Sequence, residues 1–460
     1  MSDTILAIDI GTTNIVSIVA SNDFNNKINI LGIGKVKSQG IKKGNIVDIN
    51  EAGSCIKESV TTAINSSGTS RPKVVVSVSG ANAKTHRSVG SINIPSGQIT
   101  HNEIKQVLKM ALHNAQVIPE YDILHVIPVS FRVDDGSNIS NPLNMNGSRL
   151  EVSVNVITTK KTFLINIKNT LKLANLEVNK FILSGYANAI ATLEEDQKKL
   201  GTAVINIGAT TSEIVVYKGS TIIYNTFLPI GSENITYDLS VMLHTPYSAA
   251  NMIKKQYGTL LPISEDETTI KKVKLPTLGN ETESKEISLE QIQPILHARV
   301  EEIFVLIRDK LYESSVIDSI DGGIILTGGM TQTTGVKELA SEVFVNLPVK
   351  VANPKNIQNG YIDFQSPMMA TIAGMLYYAL DDENCFELDS NGNLRAKKQV
   401  QISSSTRTTT DGSDNMSQNI EPEPTNESQE ISLADLGKLD EEALKPKKFG
   451  GFWDKISRWL

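Results

Sequence analysis

ILAIDIGTTNIVSIV, residues Ile5–Val19, decides the fold, because AVINIGATTSEIVVY at Ala203–Tyr217 repeats its pattern. Each stretch is an apolar run, an acidic or amide residue, one spacer, a glycine, small hydroxyl residues, and a second apolar run. Two apolar runs broken at a glycine and hydroxyl residues predict a β-hairpin. A third strand is expected after each, at Ile28–Gly32 and Thr221–Leu228. A β-β-β unit that recurs about half a chain apart predicts two like-folded lobes rather than a solenoid, whose periods are far shorter.

The turns suggest chemistry. Backbone N–H groups of Gly11, Thr12 and Thr13 form an anion cradle if they point inward, since glycine takes positive φ at little cost. Threonine hydroxyls add donors. Asp9, at the strand end, is suited to hold magnesium through water. Two such hairpins facing each other would grip a polyphosphate from both sides. Thr327-Gly328-Gly329 follows the apolar run 323–326 and leaves backbone room for a purine. An ordinary hairpin turn is the competing reading for either stretch alone; the repetition weighs against it.

Bulk properties narrow the classes. At 460 residues, 40% hydrophobic and 21% charged, the chain can build two to four domains. A net charge of −7 argues against a general nucleic-acid binder. Cys55 and Cys385 make neither a metal spacing nor a disulfide framework, as suits a reducing compartment. The start MSDTILAIDI has no basic n-region, so no signal peptide is expected. No apolar run of about 18 residues is present to span a bilayer.

Along the chain, a helix is expected near 51–64 and a strand at 74–78. An inserted α+β module follows over 83–161, with a capping box at Thr100–Glu103 opening a helix. Helices are expected near 164–174, 185–194, 235–243 and 248–257. The polar stretch 264–285 reads as surface strands or loops. Ser288-Leu-Glu-Gln291 is a second capping box, and the helix after it carries Val300, Ile303, Phe304, Ile307 and Leu311. SPMMATIAGMLYY at 366–378 reads as an apolar helix docked on the first lobe. From about Asp389 to Pro446, Ser, Thr, Asn, Gln, Glu and Pro dominate, which predicts a disordered linker. Some 55 such residues reach on the order of 40 Å.

The last twelve residues break that pattern. Phe449, Phe452, Trp453, Ile456, Trp459 and Leu460 fall on one helical face. Both tryptophans lie here, and Lys445, Lys447, Lys448, Lys455 and Arg458 outnumber Asp454. A basic amphipathic helix with Trp and Phe suits a lipid interface; docking on the protein's own core or on a partner is the alternative. Other chemistry is missing. Gly32–Lys35 is half a phosphate-loop motif, but Val36 stands where Ser or Thr belongs. The six histidines are scattered and read as packing or surface residues, and no paired carboxylates stand out at a strand end.

The two hairpins, the Thr-Gly-Gly after a strand, and the helix at 366–378 resemble the actin/Hsp70/sugar-kinase superfamily. Within it the chain resembles the FtsA family of bacterial cell-division proteins. The resemblance rests on GNIVDI (44–49), VSVSGANA (76–83), ILHVIPVSF (123–131), LEVSVNVIT (150–158), LPIGSENIT (228–236), HARVEEIF (297–304) and GGIILTGGM (322–330). It implies a two-lobed, actin-like α/β fold of the ribonuclease H type. The first lobe would be 1–82 with 162–195 and 363–385, carrying the inserted subdomain 83–161. The second would be 196–234 with 312–362, carrying the subdomain 235–311. A linker 386–446 and a membrane-targeting helix 447–460 complete the expected plan.

The resemblance further implies ATP and Mg2+ binding, polymerisation, peripheral attachment to the inner membrane at midcell, tethering of the tubulin-like FtsZ ring, and recruitment of later division proteins. The nucleotide set would be Asp9, Gly11, Thr12, Thr13, Asn14, Asn206, Gly208, Ala209, Thr210, Thr211, Gly231, Lys254, Gly328, Gly329 and Met330, with Asp9 holding the metal through water. Arg299 and Glu302 would meet the FtsZ C-terminal tail, Arg299 pairing with an acid of that peptide. Two departures matter. The family pattern at the second hairpin, Asp-x-Gly-Gly/Ala-Gly-Thr-Thr-Asp, here reads Asn206-Ile-Gly208-Ala209-Thr210-Thr211-Ser212-Glu213. Asn206 removes a charge that would hold magnesium or orient water. Thr210 replaces glycine where an unusual φ is expected, at a cost of about 1 kcal/mol. Asn251 also stands where a nucleotide-contacting acid is common. Binding with slow or lost hydrolysis is the expectation. A small-molecule kinase of the same fold and an actin-like adaptor of a pilus or secretion apparatus are the alternatives.

Overall fold

The computed structural model describes residues 4–23, 27–69, 71–262, 272–357, 364–380 and 386–395. The anticipated tail helix, with Phe449 through Leu460 and its lysines, lies outside the described residues, as does most of the expected linker.

The first lobe opens with β1 (Ile5–Ile10), β2 (Asn14–Asn22) and β3 (Ile28–Lys37). The short pair β4 (Ile41–Lys42) and β5 (Asn45–Ile46) leads to α1 (Ile49–Ser67) and β6 (Lys73–Val78). The insertion is β7 (Lys84–Asn93), α2 (His101–Asn114), β8 (Tyr121–Val133) and β9 (Arg149–Lys160). The chain returns through α3 (Lys161–Lys172), β10 (Lys180–Leu183), α4 (Ser184–Thr192) and α5 (Glu195–Leu200). The second lobe runs β11 (Thr202–Ile207), β12 (Ser212–Lys218), β13 (Thr221–Leu228), α6 (Ser232–Met242) and α7 (Tyr247–Tyr257). It continues with β14 (Lys272–Thr277), β15 (Asn280–Ser288), α8 (Leu289–Glu313), β16 (Ile324–Thr327), α9 (Val336–Val343) and β17 (Val349–Val351). Last come α10 (Ala370–Leu380), β18 (Glu387–Leu388) and β19 (Leu394–Arg395).

The repetition seen in sequence is a repetition of topology. One sheet orders its strands β3-β2-β1-β6-β10 and the other β13-β12-β11-β16-β17. In each the first three strands are antiparallel and the next pair in parallel. β1 and β11, central in each sheet, are buried apolar runs until the residue that meets the turn, as a strand covered on both faces requires. The two lobe cores are built mainly of Ile, Val, Leu and Ala, and the insertion has a third core of its own around Leu108, Phe131 and Val154.

Helix ends follow the local chemistry. Asp48 caps α1, accepting from the N–H groups of Asn50 and Glu51 at 2.8 and 3.0 Å. Asp48→Ala is therefore expected to cost about 1 kcal/mol, read as a fall in Tm. The Thr100–Glu103 box forms as anticipated. The Ser288 box does not. Ser288 caps α8 without a side-chain bond, because β15 runs straight into the helix and Ser288 still pairs with Lys272 in the ladder. The 366–378 helix begins as a 3-10 turn at Pro367–Met369 and turns α-helical only at Ala370.

The expected linker also differs at its root. Residues 386–395 do not trail away: β18 pairs with β8 through Leu388 and Val126, adding a hairpin to the sheet of the insertion, ordered β19-β18-β8-β9-β7. The reason is a buried polar cluster that composition does not reveal. Glu387 is fully buried and bonded to His125, Tyr186, Tyr378 and Arg395.

Candidate functional site

The tips of the two hairpins meet. The Thr210 hydroxyl donates to the Thr12 hydroxyl at 2.9 Å. Each tip is fixed from its own lobe. Ser38 donates its hydroxyl to the Gly11 carbonyl at 2.6 Å and its N–H to the Thr13 carbonyl at 2.9 Å. In the second lobe, the first N–H groups of α6, from Ser232 and Glu233, bond the carbonyls of Gly208 and Ala209 at 3.0 and 2.7 Å. The tip carbonyls are thus spent on the protein, and the N-terminus of α6, with its positive dipole end, abuts the second turn.

Glycine serves closeness here rather than unusual backbone. Gly11 is not among the residues with positive φ, yet a Cβ on it would lie 2.6 Å from the Asn14 carbonyl oxygen. The strain anticipated at Thr210 is absent for the same reason: Thr210 does not take positive φ, and its hydroxyl makes the bond between the lobes. Gly231 packs so tightly on the second turn that a Cβ would sit 2.6 Å from the carbonyl oxygens of Gly208 and Ala209.

Behind the tips lies an acid pair that sequence reading missed. Asp9 accepts from Ser77 at 2.8 Å, and burial pushes its carboxyl up to about 6 against the lowering effect of that bond, with the charge of Glu213 raising it further. Glu213, from β12, reaches into the first lobe. Its carboxylate accepts from the Ser79 hydroxyl and the Gly80 N–H, both at 3.0 Å, and bonds Ser184 at the start of α4. Burial raises the Glu213 carboxyl above its ordinary value despite those bonds. The Ser184 hydroxyl also reaches the Val78 carbonyl at 3.0 Å. A hydroxyl has one proton, so Ser184 shares it between the Val78 carbonyl and the Glu213 carboxylate. The signals were an acid just past the hydroxyl-rich turn and serines at the end of β6; only their spatial meeting was hidden.

Asn206 turns to the first lobe. Its amide donates to the Thr371 hydroxyl of α10 at 3.4 Å, and Thr371 donates to Asn188 of α4 at 2.9 Å. Gly328 crosses directly over Asn206, whose Oδ1 lies 2.2 Å from where a Cβ on that glycine would stand. Gly328 and Thr327 also bond the Pro367 carbonyl, and Gly329 and Met330 open the 3-10 turn after β16. Lys254 does not stand free: its ammonium donates to the Ser232 carbonyl at 2.8 Å, and burial draws its pKa down to about 8. The structure therefore brings together Thr12, Thr210, Gly208, Ala209 and Gly231 at one junction, with Asn206 and Gly328 beside it, Lys254 reaching it through Ser232, and Asp9 bonded to Ser77 behind it.

Arg299 and Glu302 lie elsewhere, on α8. The Arg299 guanidinium forks onto Asp238 of α6, with Nη2 to Oδ1 at 2.9 Å, and bonds Glu302 as well. The bond to Asp238 holds its pKa up. Tyr237, Val241 and Met242 of α6 are exposed on the same subdomain.

Comparison with known proteins agrees with this architecture. A family model described as "Cell division protein FtsA" matches residues 203–374, and one described as "SHS2 domain inserted in FTSA" matches 80–158. The chain is 32% identical over 420 residues to cell division protein FtsA of Helicobacter pylori strain J99, covering 85% of each chain. It is 32% identical to that of Bacillus subtilis over 81% of this chain and 83% of the relative. For Escherichia coli K12 the identity is 28%, over 87% and 94%. Among solved structures, a PilM-PilN type IV pilus biogenesis complex matches with a TM-score of 0.57 at 14% identity, covering 82% of this chain and 98% of that one. MreB5 of Spiroplasma citri bound to ADP matches at 0.50 and 13%, covering 82% and 95%. At such identities these two speak for the fold alone, which is actin-like with an inserted subdomain. Two lobes of matching strand order, the insertion at its expected place, and relatives 32% identical over most of the chain put this protein in the FtsA family of cell division proteins.

Proposed function

We propose that the chain binds ATP with Mg2+ between its lobes, polymerises on the cytoplasmic side of the inner membrane at the division septum, and ties the FtsZ ring to that membrane while later division proteins gather on it. The observation that carries this reading is the meeting of the two hairpin tips through Thr12 and Thr210, since a polyphosphate would need both turns at once. Asn14, Thr13 and Thr211 flank those tips, and a purine would approach the turn of Gly329 and Met330, whose Met330 side chain is buried. Among the described residues no three His, Cys, Asp or Glu cluster as a metal cage. That fits magnesium held mainly by phosphate oxygens and water, with Asp9 as the nearby carboxylate. Asn206, an amide bonded to Thr371, supplies no charge for orienting water, so hydrolysis is expected to be slow or lost.

The FtsZ tail would lie on the α6–α8 subdomain, along exposed Tyr237, Val241 and Met242. An acid of the peptide would compete with Asp238 and Glu302 for Arg299. Attachment to lipid falls to the 447–460 segment, whose basic and aromatic residues suit an anionic surface. Among the described residues no helix is long and apolar enough to cross a membrane.

Titration of the full chain with a fluorescent ATP analogue and Mg2+, followed by co-sedimentation with anionic vesicles and a peptide of the FtsZ C-terminus, tests each part separately. Saturable nucleotide binding, vesicle-dependent pelleting and peptide recruitment are expected. Turnover at ordinary ATPase rates would overturn the expectation on hydrolysis, and failure to bind nucleotide would overturn the cleft.

A further inference from the structure

The last described hairpin is built into the protein at a costly place. Glu387, on β18, has no exposure, and its two oxygens are shared among four partners from three parts of the molecule. His125 Nδ1 on β8 lies 2.8 Å from Oε1, and Tyr378 of α10 donates to the same oxygen at 2.7 Å. Tyr186 of α4 and Arg395 of β19 donate to Oε2, each at 3.1 Å. His125 Nε2 accepts the N–H of Leu183, directly before α4, at 3.1 Å, which leaves Nδ1 to carry the proton toward Glu387. A buried charge with this many partners is docked completely or not at all, because partial release strands several polar groups without water.

Two of those partners sit on the helices that also hold the second hairpin. Tyr378 and Thr371 are two turns apart on α10, about 10 Å. Tyr186 and Asn188 are neighbours on α4. Thr371 and Asn188 make the chain of bonds to Asn206, at the base of the second turn. The helices themselves are locked together: a Cβ on Gly374 would stand 1.8 Å from the Ala187 carbonyl oxygen. Helix α10 holds the root of the C-terminal extension at Tyr378 and the cleft at Thr371, and α4 holds both within three residues, through Tyr186 and Asn188.

We propose that docking of 386–395 and the conformation of the second hairpin are coupled through the α4–α10 pair, so that what happens to the C-terminal extension is felt at Asn206. Hydrogen exchange on the full nucleotide-free chain would compare the wild type with Glu387→Gln and with Tyr378→Phe, which removes one hydroxyl and keeps the ring. Exchange at 386–395 and also at 202–212 is expected to quicken by about fivefold or more, within the usual span of coupling between sites, while α2 stays unchanged. The reverse perturbation, Thr371→Val, is expected to quicken exchange at 386–395. Changes confined to 386–395 and to β8 in the first two variants, or to 202–212 in the third, would overturn the proposal.

Discussion

Glu213→Gln will keep the fold and flatten part of its response to pH, whereas Glu213→Ala will cost about 2–3 kcal/mol. Alanine leaves the half-buried Gly80 N–H and Ser79 hydroxyl without that acceptor. Glutamine keeps that acceptor in its carbonyl and has no proton to lose as pH rises. The sign follows from linkage. Burial raises the Glu213 carboxyl above its ordinary 4.5 and that of Asp9 from 3.8 to about 6. The folded chain therefore holds these protons more tightly than the unfolded chain. Their contribution to stability is complete below the ordinary values and is lost as pH rises through the folded ones, for Asp9 between about 4 and 6. Thermal melts of wild type and Glu213→Gln across pH 4 to 8 should show the wild type losing ground to the variant as pH climbs. An unchanged difference, or a glutamine variant as weak as alanine, would mean the carboxylate is held ionised.

The lobes were legible because they are written twice. Strands with buried apolar runs, a turn of small residues and a third strand fix both sheets from local pattern, and the Thr-Gly-Gly after β16 marks the parallel strand that extends the second. The insertion was equally plain, since its helix announces itself by a capping box and apolar spacing. What escaped detection is polar and nonlocal. Glu213 sits among residues whose sequence neighbours say nothing of Ser79 or Ser184, more than a hundred and about thirty positions away. Glu387 stands at the edge of a stretch whose composition reads as linker, and two of the partners that bury it, His125 and Tyr186, lie 262 and 201 residues earlier. The expected strain at Thr210 failed for a related reason: a turn's backbone is set by its lobe, and here that backbone suits threonine.

Gly328→Ala is the substitution expected to do most harm to the cleft. Gly328 takes φ of 92°, where an alanine is strained by about 1–3 kcal/mol. The added methyl would also stand 2.2 Å from Asn206 Oδ1, 2.6 Å from the Ile207 carbonyl oxygen and 2.9 Å from the Ile207 nitrogen. The last two are backbone atoms of β11, so the clash cannot be relieved by turning a side chain. The end of β11 must shift, and with it the turn that carries Thr210. A loss of about 3 kcal/mol or more in stability is expected from urea or thermal unfolding. Nucleotide binding should weaken by more than about tenfold at temperatures where the variant is still folded, since displacing the turn removes more than 1.4 kcal/mol of contact. Gly329→Ala is the control. Its methyl would only reach ordinary contact with Met368, at 3.7 Å, so the fold should hold. If Gly328→Ala melts and binds like the wild type, β16 does not press on the second hairpin, and the cleft is looser than these distances require.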